Sequence, residues 1–167
     1  MRTHRPTLPA ALRAVMVTLI VAGALVAPAT VASAAGSRCP KGAEAAVTTA
    51  YGNVFSRATQ LTGDERAASL SRGDDPAVRA VLDTWLASPE RSTSTITVNG
   101  IECRGRSRAV VDADLNLAGV PLPDVLASAK AVREDATWKV ATSTFCFRMV
   151  LEDPSLATAG PCARTAR

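Results

Sequence analysis

The spacing of apolar residues changes once along this chain, near residue 92, and that change restricts the folds open to it. Before it, apolar side chains recur at helical intervals; after it, they alternate. Val47, Tyr51, Val54, Phe55 and Ala58 mark a first helix. Thr62 and Glu65 form a capping box that opens a second, and Gly73 stops it. Asp75 as N-cap and Pro76 in the first turn open a third. Its apolar stripe is Val78, Val81, Leu82, Trp85 and Leu86, and Pro89 ends it.

Beyond residue 92, Thr95 to Cys103 is rich in β-branched residues. Val111, Ala113, Leu115 and Leu117 alternate with Asp112, Asp114 and Asn116, which gives one dry and one wet face. Pro121 and Pro123 break the pattern. Val125 to Arg133 is predicted as a weaker strand, Glu134-Asp135-Ala136 as a turn, and Trp138 to Val150 as a long final strand with Phe145, Phe147 and Met149 on one face. Asn99-Gly100 alone is a hairpin signal. The long run from Ala109 needs an equally long partner, so the turn is placed at Arg104 to Ser107 and Asn99-Gly100 is read as a bulge. The expectation is an α+β fold in which three N-terminal helices pack on one face of a curved four-stranded antiparallel sheet. Thr95–Cys103, Ser107–Leu117 and Trp138–Val150 are expected as neighbours, Val125–Arg133 paired to the last, and Trp85 and Trp138 buried.

The first 34 residues read differently. Arg2, Arg5 and Arg13 precede an apolar run from Ala14 to Val26, then Pro28 and the small-residue site Ala32-Ser33-Ala34. This is the pattern of a secretory signal peptide, cut after Ala34 or Ala35. The run is shorter than the roughly 20 residues a spanning helix needs, so no transmembrane anchor is expected after cleavage. Ser37-Arg38 before Cys39 does not fit a lipoprotein site. Residues 35–42 then form a lead-in, and residues 163–167 a tail. Cleavage removes His4, the one histidine, and leaves 16 basic against 15 acidic residues from residue 35 on. That near-balance does not suggest a nucleic-acid partner.

All four cysteines lie in the exported part, where an even count reads as disulfides. Four cysteines allow three pairings. Cys146 and Cys162 frame a short segment containing Pro154, Gly160 and Pro161, which favours a bridge there and leaves Cys39 for Cys103; the other pairings stay open. Without a C-x-x-C pair or a remaining histidine, no metal site is expected.

Loss of His4 also removes triads that need imidazole, and no nucleophile-elbow, phosphate-loop or dinucleotide motif is present. No cofactor is expected. Tyr51 is the one tyrosine and the one residue singled out for ligand contact. Asp112 and Asp114 are the candidate carboxylates to join it, yet strand alternation turns both toward solvent. Arg104, Arg106 and Arg108 cluster at the expected hairpin turn, where they would meet an anion. No aromatic residue interleaves them, so they do not read as a nucleic-acid platform. Arg72-Gly73-Asp74 spells an adhesion tripeptide, but a helix stop followed by a helix start explains the same residues.

Three stretches carry a family likeness: Val47–Phe55 running into Thr62–Leu70, Ser107–Leu115, and Glu134–Cys146, which nearly reads D-G-x-W-K-V-S-x-x-T-x-C with Asp135-Ala136 in place of Asp-Gly. Over residues 43–162 the chain resembles small secreted actinobacterial proteins of the nuclear transport factor 2-like (cystatin-like) superfamily, the group of the mycobacterial low-molecular-weight secreted antigen. The resemblance implies a cone-shaped sheet around the helices. It does not choose a function, since that superfamily holds isomerases, dehydratases and binders. The expectation is a secreted, disulfide-bonded, non-catalytic domain that binds a protein partner or a small apolar ligand. The alternative is a cofactor-free isomerase or dehydratase using Tyr51 and a pocket carboxylate.

Overall fold

A computed structural model describes residues 39–56, 60–88, 94–117 and 119–163. The expected signal peptide, Ala58, Pro89 and most of the expected tail lie outside the described residues. Helix α1 (Ala43–Phe55) buries Val47, Ala50, Tyr51, Val54 and Phe55, the face its spacing defines. Its last turn carries no basic residue. Arg66 of α2 (Gly63–Ala68) supplies one instead: its buried guanidinium donates to the Asn53 and Ser56 carbonyls, each at 2.7 Å. Carbonyls at a helix C-terminus have no partner within the helix itself, and a cation there suits the dipole. The capping box of α2 is complete, with Thr62 accepting from the Glu65 amide and Glu65 accepting from the Thr62 amide. Gly73 stands so close to α2 that a Cβ there would lie 1.9 Å from the Ala67 carbonyl oxygen. Helix α3 (Pro76–Ala87) starts on the Asp75 cap and buries Val78, Leu82 and Trp85.

The strands are β1 (Thr95–Cys103), β2 (Arg108–Leu117), β3 (Val120–Leu122), β4 (Ala129–Glu134) and β5 (Thr137–Val140). They form one strongly curled antiparallel sheet, a half-barrel, in the order β1-β2-β4-β5, with β3 paired to β2 beside β4. The α+β class with helices before a curled antiparallel sheet therefore holds. Its β1–β2 hairpin turns at Arg104–Ser107, closed by the Arg104 amide on the Arg108 carbonyl at 2.8 Å, and the register shifts at Asn99 between Val98 and Gly100. Helix α1 lies against β1 and β5. Ala109, Val111, Ala113 and Leu115 of β2, with Ala129, Ala131, Trp138 and Val140, face it and are buried.

Three expectations are corrected. The expected final strand Trp138–Val150 stops at Val140, and Thr142–Glu152 forms a fourth helix, α4. Thr144, Phe145, Arg148 and Met149 are buried and Phe147 is exposed, a helical rather than an alternating pattern. The sheet has five strands rather than four, because Val120–Leu122 pairs with Leu115–Leu117; Pro121 is accommodated there because the strand is short and peripheral. The strand expected over Val125–Arg133 begins only at Ala129, after a run of turns, and lies between β2 and β5 rather than outside them.

Two local features were not anticipated. Ser69–Ser71 runs along the outer edge of β5, with the Ser71 amide on the Val140 carbonyl at 2.8 Å and the Val140 amide on Ser69 at 2.9 Å, which covers that edge. The β4–β5 turn places Asp135 and Ala136 at φ 48° and 65°. Ala136 thus adopts the left-handed conformation that a glycine takes more readily.

Disulfides join Cys39 to Cys103 and Cys146 to Cys162. The first ties the start of the described chain to the hairpin, and the second ties α4 to the short 3₁₀ turn Gly160–Cys162. No described helix is long and apolar enough to cross a membrane.

Candidate functional site

Tyr51 lies inside the fold, fully buried against Phe55 at a ring separation of 5.9 Å. Its hydroxyl donates to the Lys130 carbonyl at 3.0 Å. The same carbonyl accepts the Ala141 amide at 2.9 Å and the Thr144 hydroxyl at 3.3 Å, while the Lys130 amide donates to Thr144 Oγ1 at 2.7 Å. Tyr51 therefore helps to fasten the start of α4 to β4. Burial pushes its phenol well above the ordinary value, and a hydrogen bond with Thr144 offsets part of that rise.

This arrangement makes a pH prediction. The folded state holds the phenolic proton more tightly than the unfolded chain, whose value is about 10. Its stabilising contribution is then complete below about pH 10 and is lost above it at roughly 1.4 kcal/mol per pH unit. With one tyrosine in the chain, near-ultraviolet phenolate absorbance is expected to rise only together with loss of the far-ultraviolet circular dichroism. A phenolate signal from protein that is still folded would show that Tyr51 is not buried.

The structure does not bring the proposed catalytic pair together. Asp112 is exposed and Asp114 half-buried, both on the sheet face opposite Val111, Ala113 and Leu115. No carboxylate is among the hydrogen-bond partners of Tyr51. The space between α1 and the sheet is filled by Val47, Tyr51, Val54, Phe55, Val111 and Ala113, each with 0% exposure. Arg104, Arg106 and Arg108 are all exposed at the hairpin end, with Arg104 paired to Glu102 at 2.8 Å. Arg72 pairs with Asp75 across the α2–α3 turn, so the Arg72-Gly73-Asp74 stretch has a structural role. Among the described residues no group of three or more His, Cys, Asp or Glu is placed to hold a metal ion.

An open apolar groove lies elsewhere. It measures ≈ 320 Å³ and runs between the 124–130 segment and α4, lined by Val125, Leu126 and Phe147 with Asp124, Lys130 and Ser143 at its polar margin. Phe147 is 49% exposed and Leu151, one helical turn on, 53%. On a strand, Phe147 would share a face with Phe145 and Met149 in the core, so reading this stretch as a strand hid the groove. The four-residue interval between Phe147 and Leu151 was the available signal.

Among protein families, the model described as "Low molecular weight antigen MTB12, C-terminal domain" matches residues 40–153. Neither a search of curated proteins nor one of solved structures finds a match.

Proposed function

The chain belongs to the low molecular weight antigen MTB12 C-terminal domain family, and from that premise we propose that it is an exported, non-catalytic recognition domain that docks a protein partner on α4. Two disulfides and the antigen family fit export. The observation that carries the reading is the contrast between a filled interior and the exposed Phe147–Leu151 strip beside the groove. A small apolar ligand has no room between α1 and the sheet, which leaves it only clefts at the surface such as this groove. The isomerase or dehydratase alternative gains no support, because the Tyr51 hydroxyl is engaged by backbone. Wider kinship with the nuclear transport factor 2-like superfamily is supported by the order of helices and curled sheet. It is opposed by α4, where that reading required a strand.

A photo-crosslinking residue at position 147, in protein returned to culture fluid of the producing cells, is expected to capture a discrete adduct. The same residue at Thr95, on the open face of the sheet, is expected to capture none. Phe147→Ser with Leu151→Ser is expected to leave stability within about 0.5 kcal/mol, as exposed positions do, and to abolish competition for that adduct. Absence of a 147-specific adduct overturns the docking reading. Export is tested separately: N-terminal sequencing of the released protein is expected to begin at Ala35 or Gly36, and retention of Met1 overturns it.

A further inference from the structure

We propose that the hairpin end of the sheet binds a linear polyanion, a glycan chain bearing carboxylate or sulfate groups. Sequence alone offers Arg104, Arg106 and Arg108; the fold adds Lys130 from β4. Arg133 is close only through its backbone, whose amide donates to the Ser107 carbonyl at 2.8 Å; its side chain has the parity of Ala129 and Ala131, and its Nε donates to the Ala136 carbonyl at 3.2 Å on the other face. In the β2–β4 register Arg108 opposes Val132 and Val110 opposes Lys130. Arg108 and Lys130 are thus diagonal neighbours, about 7–8 Å apart at the backbone, on the face away from buried Ala109, Ala129 and Ala131.

Few carboxylates answer them. Glu102 is taken by Arg104, and Glu134 by Lys139 at 3.5 Å and by the Ser71 hydroxyl. Asp112 bounds the patch on the far side of Lys130. Among the described residues no carboxylate forms an ion pair with Arg106, Arg108 or Lys130. Residues 35 onward are close to neutral overall, so this rim concentrates an excess of positive charge that is offset elsewhere on the surface. Guanidinium groups pair bidentately with carboxylate and sulfate oxygens. Gly105 and Ser107 are the small residues between them and let a chain approach all three arginines.

The same features choose the class of partner. A lipid surface would need apolar anchors at the loop, and the exposed Val120, Phe147 and Leu151 belong to other elements. A single-stranded nucleic acid would need stacking aromatics interleaved with the arginines, and the exposed Phe147 borders Lys130 in the α4 groove rather than the arginine loop.

The test uses heparin as the probe glycan. The protein is expected to stay on immobilised heparin at about 0.15 M salt, where exposed charges more than about 8 Å apart are largely screened. Arg106→Ser with Arg108→Ser is expected to weaken binding about tenfold, the effect of two lost surface contacts, at unchanged circular dichroism. Arg72→Ser with Arg79→Ser removes the same charge from the α2–α3 side of the molecule and is expected to leave retention intact. Flow-through of the unaltered protein overturns the proposal, as does equal loss in both double variants. Co-sedimentation with anionic phosphatidylglycerol vesicles or capture by single-stranded DNA, lost in the Arg106/Arg108 variant while heparin retention is not, overturns the glycan assignment.

Discussion

Replacing Cys39 and Cys103 together by alanine is expected to cost the fold ~4 kcal/mol, and replacing Cys146 and Cys162 ~3 kcal/mol, on the chain-entropy account of cross-links. The difference follows from the loops closed: the paired cysteines are 64 residues apart in the first case and 16 in the second. Alanine rather than serine is the right probe because Cys103 is 1% exposed and Cys146 and Cys162 are fully buried, so a hydroxyl would add a desolvation cost of its own. Domains of this kind have a total stability of about 5–15 kcal/mol. Loss of both bridges removes a large share of that, and the reduced protein is expected to be mostly unfolded at 37 °C. Urea titration of the two double variants and of the fully reduced chain measures it. If opening the 39–103 bridge costs less than opening 146–162, loop length is not what sets their contributions.

What could be read from the sequence was what local chemistry dictates. Thr62 with Glu65, and Asp75 with Pro76, are helix starts whose partners lie within three residues, and the caps form as the spacing requires. In β2, aspartates and an asparagine alternate with apolar residues, so a single register buries Val111, Ala113 and Leu115. The stretch from Phe145 to Leu151 has no such contrast. Apolar side chains stand on both parities, and Arg148 gives no hint that it is buried. Either period accommodates it. Two signals favoured helix: a strand from Trp138 to Val150 would be over twice the usual 5–6 residues, and Arg, Met, Leu and Glu at its end are good helix formers. The candidate site was less legible than the fold because it is made by distant pairings. The closeness of Lys130 to Arg108 depends on the β2–β4 register, and the groove depends on α4 being a helix.

Arg148 and Glu152 carry the second large effect. They stand one turn apart on α4 and form an ion pair with side chains only 1% and 13% exposed. Glu152 also lines a cleft with Trp85, Met149 and Leu156, where α4 faces α3. A buried pair of this kind adds little net stability, because desolvation of both charges offsets their attraction. Removing one member is different, since the other charge stays buried without its counter-ion. Glu152→Ala is therefore expected to cost about 3–5 kcal/mol, more than the truncation of an exposed glutamate by several-fold. Replacing both by apolar residues of similar size, Arg148→Met with Glu152→Leu, is expected to restore stability to within about 1 kcal/mol of the original or to exceed it. The new side chains would extend the apolar wall formed by Trp85, Met149 and Leu156. Urea unfolding of both variants decides the matter. A Glu152→Ala protein as stable as the original would mean that solvent reaches the Arg148 guanidinium. A double variant as unstable as the single one would mean that the pair positions α4 against α3 through its hydrogen-bond geometry rather than by cancelling charge.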